Sequence, residues 1–219
     1  HKAIEYGERL FKIGYEKQDY KFGILYAHIG LGQAYIMLGD TTAINHLGQA
    51  KLLAESEKND SALCSIYNGM GLYASNIHRD YYSALHYFFE GREATHRCQY
   101  QELEAILLGN ISSIYYLKDD PTGLTYSLQI YELGHQLNSA YLIFIGALNA
   151  SYMYYLLHEY DKALPYIQEA EFIMKQNEYY NQGNVYAIYG MIEFAKGNRE
   201  QAVEYYKKGL SLNDINQTS

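Results

Sequence analysis

The chain has 219 residues, of which 48% are hydrophobic, and a formal net charge of −8. Its acidity argues against a nucleic-acid-binding surface on this segment, and no apolar run is long enough to insert into a membrane. The two prolines favour long uninterrupted helices, because proline disrupts a helix interior. Cys64 and Cys98 are the only cysteines, too few for a disulfide framework or a zinc cluster. We expect two buried thiols, although a bridge between them is conceivable.

Predicted helices follow one another in pairs along the chain. An orphan helix over 1–19 precedes five helical hairpins, at 20–58, 59–98, 99–138, 139–177 and 178–213, and a polar tail over 214–219 is expected to fray. The first helix of each pair carries a small residue, at Gly32, Gly71, Ser112, Ser151 and Gly190. The matching position of the second helix recurs at Ala3, Ala43, Ala84, Leu124, Ala163 and Ala202. These spacings predict an all-α fold of about eleven helices with a period of about 40 residues.

Turn signals lie at several of the predicted corners. Gly39-Asp40 and Gly197-Asn198 each pair a glycine, which adopts the left-handed conformation easily, with a residue that can cap the next helix. Asp120-Pro121 places proline at the first helical position after a capping residue. The corner at 78–80 contains no glycine, so the sequence does not specify its turn.

The clearest motif is in the last hairpin, over residues 189–213. Tyr189 and Gly190 precede a turn at Gly197, and the second helix carries small or apolar residues on one stripe, at Ala202, Tyr206 and Gly209. This pattern resembles the tetratricopeptide repeat (TPR), with the consensus L-G-x-x-Y, a turn glycine and A-x-x-x-F-x-x-A. Glu193 departs from it, since the family prefers Tyr there, and the period exceeds the usual value of about 34 residues. The resemblance implies a right-handed α-α superhelix, a single solenoid over 1–219, whose first helices line a concave groove.

The sequence contains no recognisable catalytic motif. Its eight histidines are scattered, without the helical spacing of a metal-binding pair. Gly30-Leu31-Gly32 lacks the preceding strand and the third glycine of a nucleotide-binding loop. We therefore predict no enzymatic activity, no cofactor and no metal site.

Lysine and arginine are absent from five ranges within the predicted first helices, at 22–38, 61–77, 99–117, 140–157 and 178–195. By the resemblance, the groove is neutral and cannot grip a C-terminal carboxylate as some TPR co-chaperones do. The candidate ligand-binding residues are Asn68, Asn110, Asn149, Asn184, Tyr116, Tyr152, Tyr155, Met191 and Phe194. An amide is both donor and acceptor, so a row of them suits an extended peptide backbone. The alternative is that these asparagines bond to neighbouring helices and the tyrosines belong to the core.

A narrower resemblance concerns Asn110-Ile-Ser-Ser-Ile-Tyr-Tyr116 and Asp120-Pro-Thr-Gly-Leu-Thr-Tyr126. These runs are similar to the sensor portion of bacterial regulators in which a TPR array precedes a membrane helix and then a helix-turn-helix or a histidine kinase. This implies a ligand-sensing, protein- or peptide-binding part of a larger regulatory protein, on the periplasmic side of the membrane. The alternatives are a structural scaffold or assembly adaptor with a self-filled groove, and a cytoplasmic peptide-pheromone receptor. The expected partner is a protein or a neutral extended peptide, and uncovered terminal helices are expected to join copies into a homo-oligomer.

Overall fold

A computed structural model describes the backbone of residues 2–16, 21–177 and 182–217, and the regular secondary structure there is entirely helical. The fold is therefore all-α, as the sequence predicts. The described residues form eleven α-helices: α1 Lys2–Glu16, α2 Lys21–Met37, α3 Ala43–Ser56, α4 Asp60–Asn76, α5 Tyr81–Cys98, α6 Gln101–Leu117, α7 Leu124–Gln136, α8 Ala140–Leu156, α9 Tyr160–Gln176, α10 Gln182–Ala195 and α11 Arg199–Gln217. A 3-10 turn at Pro121–Gly123 precedes α7.

The chain divides into two compact units, with the boundary inside α6. Unit 1 comprises residues 1–107 and unit 2 residues 108–219. In unit 1, α2 packs against α1, α3 and α4, and α4 packs against α5. In unit 2, α8 packs against α7, α9 and α10, and α10 packs against α11. Each unit is thus built from successive helical hairpins, whose first helices (α2 and α4, or α8 and α10) also contact each other.

Every helix connection that the structure describes in full contains one residue with a left-handed backbone. Two of the eight are glycines, Gly39 and Gly197. The other six are Lys58, Arg79, Gln99, Asp119, Asn138 and His158. In seven of these eight connections, the residue after the left-handed one donates its backbone N–H to the carbonyl five residues earlier, as Asp40 does to Tyr35 at 2.9 Å. In the eighth connection, Asp80, which follows Arg79, donates to the carbonyl six residues earlier. This left-handed ending supplies partners for the last carbonyls of one helix before the next begins.

Capping side chains begin several of the second helices, as the turn signals indicate. The Asp120 carboxylate accepts from the backbone N–H of Thr122 at 2.9 Å, with Pro121 in the first helical turn. Asp80 accepts in the same way from Ser83 at 3.1 Å. The corner at 78–80, which the sequence left unspecified, therefore combines a left-handed Arg79 with a capping aspartate.

The small residues of the first helices allow bulky side chains of the second helices to approach closely. A Cβ atom on Gly71 would lie 2.3 Å from the Phe88 ring, and one on Gly190 would lie 2.6 Å from the Tyr206 ring. These separations are too short for a Cβ atom, so glycine permits the observed packing of α4 on α5 and of α10 on α11.

The third hairpin differs from the predicted register by one residue. Gly123 is buried in the 3-10 turn, and Ser127 four residues later is fully buried, whereas Leu124 is half-buried. A Cβ on Gly123 would lie 2.4 Å from the Tyr115 Cβ, so this position requires a residue smaller than leucine. The prediction of Leu124 at the small-residue position is therefore wrong, because the 3-10 turn shifts the start of α7.

The last helix is longer than the sequence predicts. It continues to Gln217, so residues 214–217 are helical where a frayed tail was expected, and 218–219 lie outside the described residues. None of the helices that the structure describes has the length and apolar character needed to cross a membrane.

Candidate functional site

Asn149 lies within a hydrogen-bond network between the helices of unit 2. Its amide nitrogen donates to Ser112 Oγ at 2.9 Å, Ser112 and Ser127 share a hydrogen bond of 2.9 Å, and Ser127 Oγ donates to the Gly123 carbonyl at 3.0 Å. Both serines are fully buried and Asn149 is only 6% exposed. Buried side-chain amides are normally satisfied in this way by the protein itself. The structure therefore places Asn149 in the packing of α8 on α6, which corrects its expected place on a ligand-binding surface.

Three tyrosines of the predicted site form a row of ring contacts. The ring centroids are 4.4 Å apart for Tyr116 and Tyr152, and 6.1 Å apart for Tyr152 and Tyr155. The row continues to Tyr160, whose centroid is 6.0 Å from that of Tyr155. The Tyr152 hydroxyl donates to Asp119 Oδ1 at 2.5 Å. Burial, together with this bond to a carboxylate, raises the pKa of Tyr152, so the hydroxyl remains a donor well above neutral pH.

The three predicted residues on α10 have different surroundings. Met191 is half-buried against the core of unit 2. Phe194, near the end of the helix, is 59% exposed. Asn184 is also exposed and lines a cleft of about 300 Å³ between α10 and α11, together with Gly183, Ala187, Tyr206, Gly209 and Leu210.

The two remaining asparagines are half-buried. Asn68 belongs to α4 in unit 1, and Asn110 belongs to α6 in unit 2. Both have interaction partners within the protein. The row of amides expected from the sequence is thus made of groups in different environments: one buried and bonded, two half-buried and one exposed.

Exposed apolar side chains recur at the C-terminal ends of the first helices. In unit 2 these are Leu117 at the end of α6, Leu157 just after α8 and Phe194 near the end of α10. In unit 1, Met37 ends α2 and is 87% exposed. Each lies four to six residues after the small residue of its own helix. Only Phe194 of this set is among the site residues predicted from the sequence, because the offset from the small residues varies too much to identify the others.

Cations lie on α1, the second helices, the connections and the start of α2. Helices α4, α6, α8 and α10 contain no lysine or arginine. In α2 the single cation is Lys21 at its first residue, bonded to Glu57 at 3.0 Å. In unit 2, Lys162 of α9 pairs with Glu159 at 2.5 Å, and Lys175 of α9 pairs with Glu171 at 2.8 Å. The ends of the first helices of unit 2 therefore combine exposed apolar side chains with charged groups of the adjoining connections, such as Lys118 and the Lys196–Asp161 pair at 3.0 Å.

A second cleft, of about 510 Å³, lies between α7, α8 and α9 of unit 2. Its lining includes Tyr131, Tyr154, Lys162, Tyr166 and Glu169. The Tyr131 hydroxyl donates to the Glu169 carboxylate, and the Tyr154 and Tyr166 rings stack with centroids 5.5 Å apart. The side chains here already pair with one another. Among the residues with described positions, no three histidine, cysteine or carboxylate side chains are grouped as metal ligands.

No protein-family model matches this chain, and no curated protein matches it. Among solved structures, the crystal structure of BtubC (BKLC) from P. vanneervenii superposes on it with a TM-score of 0.79. The similarity covers 100% of this chain and 91% of that chain at 14% sequence identity. At this identity the similarity establishes a shared helical fold.

Proposed function

We propose that this chain is a protein- or peptide-binding repeat module of the TPR type. The regular pairs of helices, the recurring small residues and the period of about 40 residues support this assignment. Proteins built from stacked repeats present long continuous surfaces and commonly use them for binding. We further propose, from the narrower resemblance, that the module senses a ligand for a larger bacterial regulatory protein.

The observation that carries the proposal is the apolar surface formed by the ends of the first helices in unit 2, Leu117, Leu157 and Phe194. These residues are 61%, 41% and 59% exposed. Single exposed apolar residues are common, but exposed apolar residues at the ends of successive first helices are typical of an interaction surface. Burying these side chains on binding removes apolar area from water, which favours the complex.

The chemistry of this surface favours an apolar peptide of low charge. Helices α6, α8 and α10 contain no cation, and Lys196, which follows α10, is already paired with Asp161 at 3.0 Å. Tyr155, half-buried beside Tyr152, adds an aromatic ring near the end of α8. Recognition then rests on apolar contacts, with Phe194 as the expected anchor, since aromatic residues commonly dominate binding energy.

The test compares two phenylalanines of nearly equal exposure. Phe194 lies on the first helix α10 and is 59% exposed, whereas Phe172 lies on the second helix α9 and is 61% exposed. We would select peptides from a phage library of random 12-residue sequences and measure their binding by fluorescence anisotropy. Phe194→Ala is expected to weaken the selected peptides about tenfold, equivalent to about 1.4 kcal/mol. Phe172→Ala is expected to change their Kd by less than about twofold.

Either of two results would contradict the proposal. The first is a selection that enriches no peptide above the level seen with an unrelated helical protein. The second is an equal loss of binding in both variants, which would place the peptide elsewhere. Circular dichroism of both variants controls for loss of fold, which is not expected because both side chains are exposed.

A further inference from the structure

The two cysteines of the chain meet at one edge of the α4–α5 hairpin. Cys64 lies in the second turn of α4, and Cys98 is the last residue of α5. Their Sγ atoms are 3.6 Å apart although 34 positions separate them in sequence. Both are free thiols.

The surrounding contacts hold the two sulfurs in this arrangement. Arg97, next to Cys98, donates to the Asp60 carboxylate at 2.8 Å, so an ion pair joins the same two helix ends. The Cys64 thiol donates to the Asp60 carbonyl at 3.0 Å. A disulfide has an S–S length of about 2.05 Å, so each sulfur needs to move by less than about 1 Å. Side-chain rotation can supply such a shift without separating the helices.

The two thiols differ in exposure. Cys64 is fully buried, whereas Cys98 is partly exposed at the end of its helix. Burial raises the pKa of Cys64 to about 12. Oxidants in solution therefore reach Cys98 first, and Cys64 is placed to react only with Cys98.

We propose that Cys64 and Cys98 form a reversible intramolecular disulfide, which makes this edge of unit 1 a site of two-electron oxidation. With a peroxide as oxidant, the Cys98 sulfur attacks a peroxide oxygen, the O–O bond breaks, and Cys98 becomes a sulfenic acid as one water leaves. The Cys64 sulfur then attacks the Cys98 sulfur, the S–O bond breaks, and a second water leaves. In total, two thiols and one hydrogen peroxide give one disulfide and two waters.

The disulfide would close a loop that contains the rest of α4, the connection and nearly all of α5. Cross-linking a loop of this length restricts the unfolded chain and stabilises the folded state. Because the disulfide stabilises the folded state, folding in turn makes disulfide formation more favourable than it is in the unfolded chain. Oxidation would thus cross-link α4 to α5 covalently, and reduction would break this cross-link.

The experiment uses the full chain, reduced and then treated with hydrogen peroxide in about tenfold excess. We expect the loss of both thiols together, a mass decrease of about 2 Da and a monomeric band on a non-reducing gel. The thermal unfolding midpoint is expected to rise by about 5 °C or more and to return on adding dithiothreitol. In a glutathione redox buffer, the native protein is expected to form the disulfide at least about tenfold more favourably than the urea-unfolded protein.

Cys98→Ala is the matched control, since it removes the more exposed thiol and leaves the buried Cys64. In this variant peroxide should cause neither the 2 Da loss nor the rise in the midpoint. The proposal is overturned if the wild-type protein forms only intermolecular dimers or sulfinic acid at Cys98. It is also overturned if Cys64 still reacts with a thiol reagent after oxidation and denaturation.

Discussion

Among single residues, Asn149 has a central place in the polar packing of unit 2. Its amide donates to a serine that is bonded in turn to a second buried serine. Asn149→Ala removes the amide that donates to the buried Ser112 hydroxyl, and it is expected to lower the free energy of unfolding by about 1–3 kcal/mol. Asn184→Ala is the control, because that side chain is exposed, and it is expected to change stability by less than about 0.5 kcal/mol. Urea unfolding followed by circular dichroism measures both values, and equal effects would contradict the assignment.

The tyrosine–carboxylate bonds of unit 2 predict a dependence on alkaline pH. Burial raises the pKa of Tyr131, Tyr152 and Tyr189, and each hydroxyl also donates to a carboxylate. Because the folded pKa exceeds the unfolded value of about 10, this stabilisation is complete below pH 10. It is lost as the pH rises from there towards the folded pKa, since the unfolded chain releases its phenolic protons first.

The measurement is the free energy of unfolding at several pH values between 8 and 11. We expect it to fall above about pH 10, and to fall less steeply in Tyr152→Phe, which cannot ionise at that position. Tyr82→Phe serves as the control, because Tyr82 is 86% exposed. If both variants retain the wild-type slope, the Tyr152–Asp119 bond does not contribute to the pH dependence.

At the scale of the helical elements, the left-handed residues in the connections are positions of avoidable strain. Non-glycine residues in this conformation cost about 1–2 kcal/mol, partly offset by the greater freedom of glycine in the unfolded chain. Lys58→Gly and Arg79→Gly are therefore each expected to raise the free energy of unfolding by about 0.5–1 kcal/mol. The same change inside a helix, Lys207→Gly in α11, is expected to lower it by about 1 kcal/mol. Urea unfolding distinguishes the two outcomes, and destabilisation at Lys58 and Arg79 would show that their side chains matter more than their backbone.

The sequence predicts the helices better than the connections, and the reason is physical. Recurring small residues such as Gly71 and Gly190 mark close helix contacts, so their spacing gives the fold class and the period. Gly39 and Gly197 similarly mark two turns. At Arg79 and His158, by contrast, the left-handed conformation follows from how the flanking helices end, so the residue type carries no signal.

The environments of the candidate site residues are likewise not predictable from residue type alone. Asn149 and Asn184 have identical chemistry in the sequence, and their roles separate only when the neighbouring helices are placed. The position of Ser112 in the small-residue series is visible in the sequence, but its bond to Ser127 is not, because it depends on the one-residue shift caused by the 3-10 turn. The exposure of Leu117 and Phe194 likewise depends on what stacks beside their helix ends.

At the scale of the whole molecule, charge and its distribution define the ligands that the proposed binding surface accepts. The chain has 25 acidic and 17 basic residues, and helices α6, α8 and α10 contribute no cation. A neutral peptide held by apolar contacts should therefore bind almost independently of salt. A charged peptide should interact electrostatically with the protein, whose net charge is −8, and salt at 0.1 M screens this interaction beyond about 10 Å.

The prediction compares one selected peptide with two extended forms, one carrying two added lysines and the other two added glutamates. Between 50 and 500 mM NaCl, the Kd of the neutral peptide is expected to change by less than about twofold. At low salt the lysine form should bind more tightly than the neutral peptide and the glutamate form more weakly, because the protein attracts one and repels the other. Both differences should shrink as salt increases, which fluorescence anisotropy can follow directly. Tightest binding by the glutamate form at low salt would mean that cations of the second helices, such as Lys162, form the site instead.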